Sequence, residues 1–240
     1  MFWFDSYYFI LVLPCVILAL IAQANVTSTF NKYSQEGTRS GLTGAQVAQR
    51  ILQNAGIFDV QIEQIAGSLT DNYDPTTKVL HLSQSVYGST SISAAGVAAH
   101  ECGHAIQHAE GYAPLQLRNG IIKVTRIGSN LSMPLIILGV ILGGASYYHA
   151  TTIGYYIIMI GLCLFGLSTV FQLLTLPVEF NASRRAIKIL GSTAMLDQEE
   201  LAKAKKVLKA AALTYVAALA QSLANLLRLY LLFGRGRRDD

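Results

Sequence analysis

The chain is short of charge. Asp, Glu, Lys and Arg make up only 13% of its 240 residues, where a soluble globular domain carries about a quarter. Hydrophobic residues make up 52%, and the mean hydropathy is +0.41. A water-soluble globule of this size needs more solvating surface, so the deficit points to a membrane. Cysteine is scarce as well. Cys15, Cys102 and Cys163 are odd in number and widely spaced, which argues against a disulfide framework and against a cysteine-type zinc site. All three read as small buried hydrophobes. Basic residues are missing from two particular places: none precedes the first apolar run, and none lies between His149 and Thr152. The first absence argues against a cleaved secretory signal, which needs a positive leading region. The run is therefore read as an uncleaved anchor despite its Ala22-Gln23-Ala24 ending. Internal repeats and low-complexity segments are absent, the net charge of +4 is modest, and no nucleic-acid partner is expected.

What the chain has in quantity is apolar runs. Three are long enough to cross a bilayer: Tyr7 to Ala24, Ser129 to Tyr148, and Ile153 to Leu176. The four residues 149–152 leave room only for a tight hairpin between the second and third. Gly139, Gly143 and Gly144 suit close helix approach, and Tyr147, Tyr148, Tyr155 and Tyr156 suit an interfacial aromatic belt. Of the 18 Lys and Arg residues, seven lie between Asn25 and Ile127, seven between Pro177 and Lys209, and four from Arg228 onward. The positive-inside rule then puts the N-terminus and the hairpin outside and both polar segments in the cytosol. A fourth run, from Val207 to Phe233, is apolar enough to span, but Arg235, Arg237 and Arg238 follow it. It either crosses against the rule or rests at the cytosolic surface, giving three or four transmembrane helices. The expected organisation is an anchor at 1–24, a cytosolic subdomain at 25–127, a transmembrane hairpin at 128–176 and a helical region at 177–240.

Within the polar segments, "GLTGAQVAQRILQNAG" has a helical apolar face and Gly56 to end it. "VQIEQIAG" and "KVLHLSQSVY" alternate as half-buried strands do, with "DNYDPTT" as the turn between them. "SISAAGVAAHECGHAIQHAEG" reads as a helix capped by Ser91 or Ser93 and stopped by Gly111. A further helix is expected to start at Asp197.

The chemistry is concentrated in "GVAAHECGHAIQH". His100 and His104 are one helical turn apart, so one face can aim both imidazoles at a single metal. Glu101 stands where zinc hydrolases keep the carboxylate that takes a proton from water. Cys102 points away from the histidine face. Zinc needs a third protein ligand and an open fourth position. His108 follows at i+8, about 12 Å along the axis from His100, too far to share the ion. His81 lies in a predicted strand, His149 lies across the membrane, and Glu110 sits near the helix end. Glu179, directly after an apolar run in "TLPVEFNASRRA", is the strongest candidate.

"EGTRSGLTGAQVAQRIL", "DNYDPTTKVLHLSQSVY", "GVAAHECGHAIQH" and "TLPVEFNASRRA" together resemble the bacterial YugP-like neutral zinc metallopeptidases. More distantly, the layout is similar to the HtpX and Ste24 membrane proteases, which are gluzincins. The resemblance implies an α-helical integral membrane protein of the bacterial plasma membrane, with a zincin-like α+β domain. It implies one Zn²⁺ per chain held by His100, His104 and Glu179, with Glu101 as the base. One departure is visible: the HtpX-type pattern has an aspartate four residues after the ligand glutamate, and here that position is Ser183.

The activity these residues suggest is hydrolysis of peptide bonds in membrane or membrane-proximal proteins, at the cytosolic face. The group stabilising the oxyanion stays open among Arg184, Arg185, Tyr215 and a residue of the earlier segment. An extended substrate is expected to add to a sheet edge at "KVLHLSQ". The competing class is a non-catalytic, metal-stabilised membrane scaffold, which would need a fourth protein ligand to close the site. The sequence shows no obvious one.

Overall fold

The structure is a computed structural model that describes residues 5–143 and 151–234. Residues 1–4, 144–150 and 235–240 lie outside this range. So do parts of several expectations: His149 and most of the hairpin, Gly144, Tyr147, Tyr148, and the arginines after Gly234.

Among the described residues ten regular elements run in chain order: α1 (Leu13–Ser34), α2 (Gly44–Asn54), β1 (Gln61–Ile65), β2 (Asn72–Asp74), β3 (Val79–Ser83), α3 (Gln84–Tyr87), α4 (Ile92–Ala109), α5 (Ala113–Ile141), α6 (Thr152–Ser192) and α7 (Gln198–Leu229). Wider π-type turns precede α1 (Tyr8–Val12) and follow α7 (Tyr230–Gly234). Among the described residues, four helices are long and apolar enough to cross a membrane: Tyr8–Ser34, Ala113–Ile141, Thr152–Ser192 and Gln198–Phe233. The fourth apolar run is thus one continuous helix with the charged stretch before it.

Helix starts follow local chemistry. Thr43 and Gln46 cap α2 reciprocally, side chain to backbone in both directions. Ser91 accepts from the Ala94 amide and starts α4, and Gly111, at φ +65°, adopts the left-handed backbone just beyond its end. Asp197 and Glu200 exchange the same pair of bonds at the start of α7.

The described residues fold as two compact units, one within Ile21–Gln116 and Leu176–Thr214, the other within Met1–Leu20, Leu117–Thr175 and Tyr215–Asp240. In the first, a three-stranded sheet of order β1-β3-β2 carries a parallel β1–β3 pair and an antiparallel β2–β3 pair. The sheet corrects three expectations. The "DNYDPTT" segment is not all turn, because Asn72–Asp74 forms a strand. Asp71 draws it against β3 by accepting from the backbone N–H and hydroxyl of Ser83. Asp74 then closes the hairpin by accepting from the Thr76 amide and the Thr77 hydroxyl. The second strand stops at Ser83, and "QSVY" turns into the short helix α3. Finally, "VLHLS" is the central strand, hydrogen-bonded on both sides, so it offers no edge to an extended substrate.

The core of this unit joins Phe30 and Tyr33 of α1, Val47 and Ile51 of α2, Leu80 and Leu82 of β3, most of α4, Ala186 and Leu190 of α6, and Val207 and Leu208 of α7. α4 is buried nearly all round, as a helix at the centre of a domain must be.

The second unit is held by close backbone approach. A Cβ on Gly161 would lie 2.8 Å from the Ser132 carbonyl, and one on Gly139 would lie 2.7 Å from the Gly154 carbonyl. Only glycine permits α5 and α6 to pack this way. The two helices are also tied at their linked ends, where Thr151 donates to the carbonyls of Leu142 and Gly143. The small core here is Ile136, Ile158, Leu162, Leu229 and Phe233.

Candidate metal centre

α6 has 41 residues, about 60 Å at 1.5 Å per residue and twice the hydrocarbon thickness of a bilayer. Its continuation past Leu176 belongs to the same unit as α4. Pro177 does not end the helix. Val178, Ala182, Ala186 and Leu190 are fully buried along this continuation. Their small members let α6 approach α4 at Gly103, where a Cβ would lie 2.8 Å from the Ala182 carbonyl. Gly103, one residue before His104 in the motif, thus sets the distance between the two helices.

That approach brings Glu179 to the histidines. Its Oε2 lies 3.2 Å from His100 Nε2 and 3.5 Å from His104 Nε2. The imidazoles stand edge to face, with centroids 4.8 Å apart and planes at 86°. The three donor atoms all lie within 4.8 Å of one another. Tetrahedral zinc with bonds of about 2.0–2.1 Å separates its ligand atoms by about 3.3 Å, close to both histidine–carboxylate distances. Two imidazoles and one carboxylate are also the donor set of a zinc site that keeps one position open. Among the described residues, the cluster comprises these three donors.

Glu101 is buried beside them. Burial pushes its carboxyl up to about 7; His100 opposes the shift, Glu179 and Asp71 add to it, and a hydrogen bond from the Tyr73 backbone N–H opposes it. Cys102 faces the other way, with its thiol toward the Ala48 carbonyl of α2.

The other candidates have separate roles. His108 Nδ1 lies 2.8 Å from the Tyr73 hydroxyl, and His81 pairs with Asn72. Glu110 forms an ion pair with Arg185 at 2.7 Å. Arg185 also donates to Asn181, so it is engaged away from the donor cluster. Arg184 is exposed, and Tyr215 belongs to the other unit.

Each histidine has a partner on its second nitrogen. Ser183, where the related pattern has aspartate, lies 3.1 Å from His100 Nδ1. Gln107 Oε1 lies 3.0 Å from His104 Nδ1. Sequence reasoning missed Gln107; its only signal is a polar side chain one turn after a candidate ligand, on a helix otherwise full of alanine.

The family profile described as "Putative neutral zinc metallopeptidase" matches residues 8–234. The chain belongs to that family. Membership implies zinc, and the donor cluster fits the ion. A relative from Bacillus subtilis (strain 168), "Putative membrane protease YugP", is 45% identical over 223 residues, covering 93% of this chain and 95% of the relative. No solved structure matches the chain. This member of the zinc metallopeptidase family thus combines four apolar helices of spanning length with a helix carrying His-Glu-x-x-His.

Proposed function

We propose that this protein is a membrane zinc endopeptidase of gluzincin type, in which His100, His104 and Glu179 hold the ion and Glu101 is the general base. The observation that carries the reading is the convergence of a carboxylate from α6 on two imidazoles of α4, 79 residues away for His100. A zinc ion held there supplies a Lewis acid that polarises the scissile carbonyl and acidifies water. Glu101 accepts the proton of the attacking water and returns it to the leaving amine. Its burial excludes bulk water from that transfer. The three-donor cluster favours catalysis over a structural site, which would be closed by a fourth ligand.

The fold reads as a zincin-like α+β domain on a four-helix membrane anchor, with the domain in the cytosol and substrates that are membrane proteins or membrane-proximal segments. Charge supports this side, since both Lys- and Arg-rich polar segments then lie inside. A buried pair bears on α7. Arg228 near its end binds Asp5, ahead of the π-type turn that leads into α1, at 2.9 Å through Nε, and lies over the Tyr8 ring. If α1 crosses, both residues lie at one face, so α7 crosses too. The arginines after Gly234 are then the exception to the charge rule.

Glu101→Gln tests the enzyme reading. Zinc content should stay at one per chain, while cleavage of an unstructured or membrane-inserted polypeptide falls by about 10²–10⁴-fold or more. Unchanged cleavage removes Glu101 as the base and with it this enzyme reading; no cleavage by the parent chain leaves the scaffold. Cysteines introduced beside Asp71 and beside Asp5, labelled from each side of intact cells, test the orientation. Labelling of the Asp71 site from outside reverses it.

A further inference from the structure

Gln107 is fully buried, and its hydrogen bonds form a chain whose direction is fixed from one end. Arg185 begins it, because a guanidinium only donates. Its Nε lies 2.7 Å from Asn181 Oδ1, and its NH2 group is anchored by Glu110 at 2.7 Å. Asn181 Oδ1 is therefore an acceptor. Gln107 Nε2 lies 2.9 Å from that same oxygen and 2.9 Å from the Val178 carbonyl. Both neighbours accept, so both Nε2 hydrogens are committed. Gln107 Oε1 is left facing His104 Nδ1 at 3.0 Å, and an amide oxygen only accepts. The proton of the neutral imidazole must then sit on Nδ1, leaving the lone pair on Nε2, the atom that faces Glu179.

We infer that Arg185, Asn181 and Gln107 form a one-way relay that fixes the tautomer and ring orientation of His104, with Gln107 as its positioning residue. This rests on the reading of His104 as a zinc ligand. His100 is held differently. Ser183 offers it a hydroxyl, which rotates to donate or accept and so dictates no tautomer. The relay makes one histidine a preset ligand and leaves the other adaptable. It also ties ligand geometry to helix placement, because Val178 and Asn181 flank Glu179 on α6 while Gln107 rides on α4.

The test uses the full chain in detergent and reads zinc affinity by competition with a chelator. Gln107→Met keeps the length and apolar contacts but removes both hydrogen-bonding ends. It should weaken zinc by about 10–100-fold, the usual cost of losing such a partner. Asn181→Asp keeps the acceptor for Arg185 and Gln107 and should retain at least the parent affinity. Asn181→Leu removes one of the two acceptors that hold the Gln107 NH2 group and leaves the Val178 carbonyl, so it should weaken zinc, but by less than Gln107→Met does. Cobalt substitution gives a second readout. The visible bands should shift in Gln107→Met and Asn181→Leu and stay in place in Asn181→Asp. Parent-like affinity in Gln107→Met, or equal loss in the two Asn181 variants, overturns the relay. If Gln107→Met does not fold, the Asn181 pair decides alone. Retention of zinc by His104→Ala and Glu179→Ala instead removes the ligand reading itself, a result distinct from failure of the relay.

Discussion

The two units of this protein are stabilised by different means. In the unit that carries the metal centre, segments far apart in sequence are joined by directed polar contacts. Glu200 accepts from the Arg39 amide, Lys203 pairs with Glu36, and Ser93 donates to the Phe30 carbonyl. In the other unit the helices meet through glycine and small side chains, with polar links among the described residues that include Asp5 with Arg228, Thr169 with Ser222, and Thr151 with the end of α5. The division fits the proposed placement of the first unit in water and the second in lipid. In water, apolar burial supplies the energy and polar contacts supply the geometry. Between apolar helices in lipid the hydrophobic drive vanishes, and close packing with occasional hydrogen bonds replaces it. Zinc affinity should therefore respond to changes in the first unit and ignore those in the second, while stability should respond to both.

The sharpest test is Gly103, which combines both properties. A Cβ there lies 2.8 Å from the Ala182 carbonyl and 3.1 Å from its Cα, and backbone cannot give way as a side-chain tip would. Gly103→Val should push α4 from α6, cost about 1–3 kcal/mol of stability from overpacking, and separate Glu179 from the histidines, so that zinc affinity collapses. Gly161→Val is its counterpart in the other unit, meeting the Ser132 carbonyl at 2.8 Å. It should lower the melting temperature in detergent by a similar margin and leave zinc affinity within about threefold of the parent, since no donor sits on that contact. Loss of zinc in Gly161→Val would break the comparison.

Next in size is the buried pair of Asp5 and Arg228. Asp5→Ala leaves the Arg228 charge buried, and the expected cost is about 2–3 kcal/mol, below the 3–5 of a fully enclosed pair because Asp5 keeps some exposure. The double variant Asp5→Ala/Arg228→Leu should recover much of that, which a double-mutant cycle of thermal stability reads directly. Additive losses would mean the two side chains do not stabilise each other.

Much of the site was legible because its signals are local. The His100–Glu101–His104 spacing, a serine cap at Ser91 or Ser93 and the stop at Gly111 are all set within a few residues. Glu179 stood out because a carboxylate just past an apolar run needs a reason to be there. What escaped was tertiary. Nothing near Gln107 says that it faces the second nitrogen of His104, and Ser183 showed only as a departure from a related pattern, since both contacts depend on α6 crossing α4 at Gly103. β2 was hidden because a three-residue strand has no alternation to read, and Asp71, which pins it, acts on Ser83 twelve residues away. The "QSVY" helix was hidden by β-prone residues that its packing overrides. The continuity of α6 was obscured by Pro177, which forfeits one helical hydrogen bond but does not break the helix.

The smallest effect belongs to Thr169 and Ser222. Their hydroxyls lie 2.7 Å apart and join α6 to α7, yet Thr169 also bonds the Phe165 carbonyl of its own helix at 3.4 Å. A hydroxyl that loses its partner can fall back on that carbonyl, so the net worth of the bond between helices is small. Thr169→Ala and Ser222→Ala should each cost about 0.6 kcal/mol, the average for hydrogen bonds between helices in lipid, and the double variant little more. Zinc affinity should not change. A loss above about 2 kcal/mol from either single variant would mean that directed polar contacts, and not close packing, hold this unit together, and the contrast between the two units would fail at that point.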